Sequence, residues 1–318
     1  MSQATIDKLN KLDKDIVIEL DHVTKDYGRG RGIFDISLKI PKGKVFGYCG
    51  TNGSGKTTTL RHIMGFLKPD KGTVRVNGVD PWSNVDIKKD IGYLPGEIAF
   101  PPVENGSMFL KSQAELINLT DMSKAERIIN ALQLDPTANL RRMSKGMKQK
   151  TAIVAAFMAS PNIILLDEPT TGLDPLMREA FIELLEEEKA RGATVLMSNH
   201  MFDELEETCD YVAFIKDGRI IDIVDMEEIH HRPYREFSID FFEESDYENA
   251  FKDESKFQVM RRINNFKRII VRVDAEHAND AVQELRKYAA KSVVEIKYTL
   301  EKYFLENLGG QKNGSSVK

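Results

Sequence analysis

Eight residues constrain this chain more than any others: Gly50-Thr51-Asn52-Gly53-Ser54-Gly55-Lys56-Thr57, which lead from the apolar stretch Val45–Cys49 into a helical pattern over Thr57–Phe66. Glycines let the backbone curl so that successive N–H groups point at phosphate oxygens. A helix opening at that point adds partial positive charge from its N-terminus. Lys56 then reaches the outer phosphates of a nucleotide as a point charge, and the Thr57 hydroxyl completes a Mg2+ shell. The pattern carries this meaning where a strand leads in and a helix leads out, and both are present. Gly50, Thr51, Asn52, Gly53, Ser54, Gly55, Lys56, Thr57 and the adjoining Thr58 are the candidate nucleotide-binding residues.

The rest of the chain supplies a frame for that loop. Short apolar strands alternate with helical patterns at Ile163–Leu166, Leu176–Ala190, Thr194–Met197 and from Met201, which implies a parallel sheet. Val212–Ile215 and Ile220–Val224 read as a closing hairpin. Residues of about 97–160 are mostly helical in period (Met108–Leu119, Lys124–Leu132, Lys148–Ala159) and form a helical insertion. The expected class is an α/β fold of the P-loop NTPase type with a mixed sheet core. Composition shifts near His230–Pro233, so 1–230 is expected to be the domain that carries the nucleotide-binding loop. Residues 231–310 then follow as a small α+β domain of β-α-β-β-α-β, ferredoxin-like order, and 311–318 as a disordered tail.

Ile163-Ile164-Leu165-Leu166-Asp167-Glu168 is a buried strand ending in two acids. Neighbouring strand residues point to opposite sides, but where the chain turns both acids can face the phosphate crevice. Asp167 is then expected to hold Mg2+, and Glu168 to polarise the attacking water. A solvated acidic turn is the competing reading, and the phosphate loop upstream disfavours it.

With these motifs in place, residues 16–225 resemble the ATP-binding subunit of an ABC transporter. The resemblance gives Tyr27 an adenine-stacking role, against a turn-flanking Tyr packed on the sheet. It puts Met143-Ser144-Lys145-Gly146-Met147-Lys148-Gln149 at the signature motif, just before a helix, where Ser144 and Gly146 would cap the γ-phosphate of ATP held by a second subunit. Asp174 in Gly172-Leu173-Asp174 would lie in the loop that crosses the dimer interface. His200, at the end of Ser198-Asn199-His200, would face the γ-phosphate. Glu168, His200 and Lys56 are thus the catalytic candidates, and Thr57, Asp167 and Glu97 the Mg2+ candidates. Two departures stand out. Lys145 and Met147 replace the usual Gly and Gln of the signature, and Gly96 occupies the place of the family's Mg2+-touching Gln, with Glu97 beside it as a substitute oxygen ligand or a plain Pro-Gly turn.

One phosphate loop and one signature imply two copies in a head-to-tail dimer. The resemblance further implies an ATPase that drives a separate integral membrane permease, of the bacterial branch that exports drugs, lipids or peptides. No apolar run reaches the ~18 residues of a membrane span, so the chain is expected on the cytoplasmic face, held by its partner. Lys+Arg 45 against Asp+Glu 50, a net charge of -5, disfavours a nucleic-acid partner. A soluble ABC-type ATPase acting on a macromolecular complex, and a non-hydrolysing regulatory subunit, are the alternatives. The two cysteines, Cys49 and Cys209, fit a reducing compartment and read as small buried hydrophobes. His230-His231 reads as linker, Glu186–Glu188 as a solvated helix face, and Arg261, Arg262, Lys267 and Arg268 as an exposed sheet face.

Overall fold

The computed structural model describes residues 15–252, 258–285 and 290–308. The expected tail, 311–318, lies outside them, as do 1–14, 253–257, 286–289 and 309–310 of the two expected domains. The chain forms two compact units that divide after Met226.

The first unit has two sheets. β1 (Ile16–Asp26), β2 (Gly32–Pro41) and β4 (Lys71–Val76) form an antiparallel sheet in the order β2-β1-β4. The other sheet runs β5-β6-β7-β3-β8-β9, from β3 (Val45–Cys49), β5 (Ile91–Leu94), β6 (Ile163–Asp167), β7 (Thr194–Asn199), β8 (Tyr211–Lys216) and β9 (Arg219–Asp225). Its first five strands are parallel and β9 closes antiparallel on β8, so the sheet is mixed as expected. β3, β6 and β7 are buried along their whole length, the pattern of parallel strands covered on both faces. Ile18, Leu20, Ile36 and Leu38 of one sheet share a core with Phe46, Tyr48 and Leu165 of the other.

Helices follow the strands: α1 (Lys56–Ile63), then the insertion α2 (Gly106–Leu116), α3 (Ser123–Ala131) and α4 (Lys145–Phe157), then α5 (Pro175–Ala190) and α6 (Phe202–Thr208); α7 (Met226–His230) starts at the division and belongs to the second unit from Glu227 on. α4 begins earlier than its apolar period indicates, because the Ser144 hydroxyl accepts the Met147 N–H at 3.2 Å and starts the helix there. The signature residues from Lys145 to Gln149 therefore form its first turns rather than a loop ahead of it. Glu188 also departs from its expected solvated face: it is 2% exposed, paired with Lys124 of α3 and with Arg191.

The second unit contains β10 (Tyr234–Phe241), α8 (Glu244–Lys252), β11 (Gln258–Ile263), β12 (Arg268–Asp274), α9 (Ala278–Leu285), β13 (Ala290–Ile296) and α10 (Leu300–Asn307). Its antiparallel sheet runs β11-β12-β10-β13, which with the β-α-β-β-α-β chain order is the ferredoxin-like arrangement. Strand alternation buries Phe237, Ile239, Phe241, Ile269, Val271 and Val273 against Tyr247, Ala250 and Ala278. On β10 and β12 the opposite face is ionic, with Asp240–Arg268 and Glu236–Arg272 pairs.

In the first unit, pairing in the central sheet sets Cys49 opposite Asn199 and Asp167 opposite Ser198. The chain segments leaving β3, β6 and β7 therefore emerge side by side at the carboxyl edge of the sheet, where open α/β sheets bind ligands.

Candidate functional site

At that edge a cavity of about 570 Å³ is lined by Asn52, Gly53, Gly55, Lys56, Thr57 and Thr58 of the phosphate loop and α1. Asp167, Glu168, Tyr27, Gly96 and Glu97 complete the predicted part of its wall. The size lies within the ordinary range for a small-molecule site. The loop is tight. Gly55 has φ 111°, and a Cβ there would fall 2.6 Å from Ile33 Cγ2, so no larger residue fits at the helix start. Lys56 is 5% exposed, and its Nζ donates to the Gly50 carbonyl at 2.7 Å and approaches that of Thr51 at 3.4 Å. Ser54 turns its hydroxyl inward, buried and without a hydrogen-bond partner among the described residues.

The two acids take different settings. Asp167 is 2% exposed, and both of its oxygens are held: Thr57 Oγ1 donates to Oδ2 at 2.6 Å and Ser198 Oγ to Oδ1 at 2.5 Å. Glu168 has φ 51°, in the left-handed region. That backbone turn brings the second acid into the same cavity, where strand alternation alone would point it away. The strained residue is held by its own N–H, which donates to Ser198 O and Ser198 Oγ, each at 3.1 Å. Gln149 of α4, buried, donates to the carbonyls of Glu168 and Pro169 at 3.3 and 2.7 Å. Glu168 Oε1 lies 3.4 Å from Lys56 Nζ and 3.7 Å from His200 Nδ1. A carboxylate, an ammonium and an imidazole thus converge beside the phosphate loop.

The other predicted residues divide. Tyr27 is 47% exposed and lines the cavity, in a turn closed by its own N–H to Arg31 O at 2.9 Å. Glu97 is exposed on the same wall. Gly96 lies against Asp167: a Cβ there would come 2.9 Å from Asp167 Oδ2. Ser144, Gly146 and Asp174 do not line this cavity. Ser144 and Asp174 cap the N-termini of α4 and α5. Gly146 packs on the loop before α5, where a Cβ would meet Gly172 O at 2.7 Å.

Sequence reasoning missed Arg31 and Arg61, which also line the cavity. Arg61 was recoverable, since it follows Thr57 by four residues on one helix face. Arg31 had no signal beyond its Gly-rich turn. Burial pushes the Cys49 and Cys209 thiols up to about 12, so both stay protonated, and neither serves as a nucleophile. Among the described residues no group of three or more His, Cys, Asp or Glu gathers as a metal site, and no helix is long and apolar enough to cross a membrane.

Residues 33–171 match the family described as ABC transporter. The chain is 29% identical to a bacitracin transport ATP-binding protein of Enterococcus faecalis, over 92% of this chain and 97% of the relative. It is 30% identical to a lantibiotic transport ATP-binding protein of Streptococcus pyogenes, over 64% of this chain and 89% of the relative. Its fold is similar to the dimeric structure of a bacterial ABC transporter cassette, with a TM-score of 0.58, 25% identity, and coverage of 66% of this chain and 98% of that one.

Proposed function

This chain belongs to the ABC transporter ATP-binding proteins, and from that premise we propose how its own residues turn over ATP and what the work is spent on. It is an ATPase subunit that pairs with a second cassette and powers a membrane permease.

The residues fit the nucleotide and its metal. The loop from Gly50 to Gly55 offers a closed backbone cradle, held by Lys56 on the Gly50 carbonyl and exposing Asn52, Gly53 and Gly55 to the cavity, which suits phosphate oxygens. Thr57 and Asp167 present hard oxygens 2.6 Å apart. Two such ligands suit Mg2+, which takes few protein ligands and completes its shell with phosphates and water. Thr57 and Asp167 would hold it, with Glu97 available on the same wall. When bound, Mg2+ supplies charge neutralisation on the outer phosphates.

Lys56 neutralises phosphate charge, and Tyr27 offers an exposed ring for stacking on the base. Glu168 accepts a proton from the attacking water, and His200 orients that water against the outer phosphate. Positioning and charge do most of the work, because phosphoryl transfer leaves little covalent chemistry to the protein. Ser144, Gly146 and Asp174, which do not line their own chain's cavity, serve the nucleotide of the second copy.

The convergence of Glu168 on both Lys56 and His200 carries this reading. Glu168→Gln keeps the shape and removes the base. It should bind ATP normally, accumulate as a nucleotide-trapped dimer on gel filtration, and lose turnover by about 100-fold or more. Full turnover by that variant overturns the assignment.

The cargo follows from the relatives, whose names refer to bacitracin and a lantibiotic. We assign this chain to export of a peptide, lipid or drug, from the cytoplasmic face of the membrane, where the permease holds it. Reconstituted with the membrane protein that copurifies with it, the chain should drive ATP-dependent movement of bacitracin away from the ATPase side. Movement toward that side overturns export.

A further inference from the structure

Glu204 lies on α6, outside the candidate site, yet it is 4% exposed and gathers the polar groups behind that site. Its Oε2 accepts from Thr170 Oγ1 at 2.5 Å and, in a short hydrogen bond, from Asn199 Nδ2. Arg178 Nε of α5 lies 2.9 Å from Oε1 as an ion pair. Asn199 in turn uses its Oδ1 to accept the backbone N–H groups of His200 at 2.7 Å and Met201 at 3.0 Å.

These bonds fix a direction. An asparagine side chain has one accepting end and one donating end. With Glu204 present, the donating end is claimed by a carboxylate and the accepting end must face His200. Without it, a flipped amide would set its NH₂ against the His200 N–H and release the backbone that carries the imidazole. A buried carboxylate is costly, and an apolar replacement for a buried ion pair is often neutral or stabilising. Stability alone is therefore a weak reason for a charge at this position, and geometry supplies a stronger one.

We propose that Glu204 is a positioning residue for ATP hydrolysis, holding His200 in register with Glu168 by orienting the Asn199 amide. The same oxygen takes Thr170, two residues beyond Glu168, so one carboxylate ties the loop after the acids to the strand end that presents the imidazole. The inference rests on the reading of His200 and Glu168 given above.

The test uses the full-length chain with Mg-ATP, steady-state phosphate release, and binding of a fluorescent ATP analogue. Glu204→Ala should lower kcat by about 10- to 100-fold while analogue affinity stays within about twofold. Glu204→Gln, whose carbonyl still accepts from Asn199 and Thr170, should restore kcat to within about threefold of the parent. In a His200→Ala background, Glu204→Ala should cost less than about twofold further, since the group it positions is gone.

Equal fold-losses in both backgrounds overturn the proposal, as does a Gln variant as slow as the Ala variant, or a loss confined to ATP affinity. Should Glu204→Ala fail to fold, Asn199→Ala carries the same expectation: a kcat loss that vanishes in the His200→Ala background. A parental rate for His200→Ala alone overturns the site reading and the proposal together. A slow His200→Ala with an additive Glu204 effect overturns only the proposal.

Discussion

Ser198 holds both acids through one hydroxyl, which donates to Asp167 Oδ1 and accepts the Glu168 N–H. Ser198 is fully buried, so Ser198→Ala takes this partner from both groups and leaves the Glu168 N–H with the residue 198 carbonyl alone. The variant should lose about 1–3 kcal/mol of stability in urea unfolding, with turnover falling more than ATP affinity. Unchanged stability would mean that the two bonds do not hold the acids. Gly96 makes the complementary case. The family places Gln there, but a Cβ at Gly96 would come 2.9 Å from Asp167 Oδ2, and Asp167 cannot yield without giving up Thr57 or Ser198. Gly96→Gln should therefore lower kcat/KM by about tenfold rather than improve it, as steady-state phosphate release would show. A gain in rate would show that this strand end moves freely. Lys56, Asp167 and Glu168 were legible because each belongs to a contiguous string whose chemistry is local. Ser198 was read only as a neighbour of His200, Gln149 only as part of the signature string, and Glu204 not at all. Their partners lie 30, 20 and 34 residues away, and nothing local distinguishes a buried Glu from a solvated one.

Among the elements, α3 is tied to α5 by two ion pairs of different worth. Lys124 meets Glu188 where the two side chains are 17% and 3% exposed, and Ser160 Oγ also accepts from Lys124 at 2.8 Å. Arg127 meets Glu187 in the open, at 54% and 49%. Removing Lys124 leaves Glu188 buried with Arg191 alone, so Lys124→Ala should cost about 2 kcal/mol. Arg127→Ala should cost no more than about 1 kcal/mol, because solvent screens an exposed pair. Thermal melts of the two variants check this, and equal losses would overturn the ranking by burial. The period of apolar residues made the three insertion helices visible. It set α4 too late because a cap is polar and lies outside the period. It also left Glu188 among solvated acids, since the second helix of a buried pair is remote in sequence.

The two units hold separate cores, and their ionisable groups respond to acid over different ranges. In the first unit, burial holds the His62 imidazole below its ordinary 6.5; its Nδ1 faces Thr58 O at 2.7 Å, and its Nε2 has no hydrogen-bond partner among the described residues. The unfolded chain takes up that proton near 6.5 and the folded unit resists it. This contribution is therefore intact above pH 6.5 and lost as pH falls from there toward the folded value. In the second unit, the Arg268 hydrogen bond holds Asp240 below its usual 3.8. Burial raises Glu236, but hydrogen bonds from Lys302 and Arg272 outweigh it and leave the group below 4.5. Depressed carboxylates stabilise above their unfolded values, so these contributions persist until pH drops below about 4.5 and disappear as it passes through the folded values. Mild acid should thus weaken the nucleotide-binding unit first. Trp82, the one tryptophan of the chain, follows that unit by fluorescence, and hydrogen exchange of β10 and β12 follows the other. Between pH 6.5 and 5 the urea midpoint reported by Trp82 should fall, and His62→Gln should flatten that slope. Over the same range β10 and β12 should hold their protection, then lose it below pH 4.5 less steeply in Glu236→Gln. An unaltered Trp82 slope in His62→Gln would remove His62 as the cause and leave the first unit's acid response to its carboxylates.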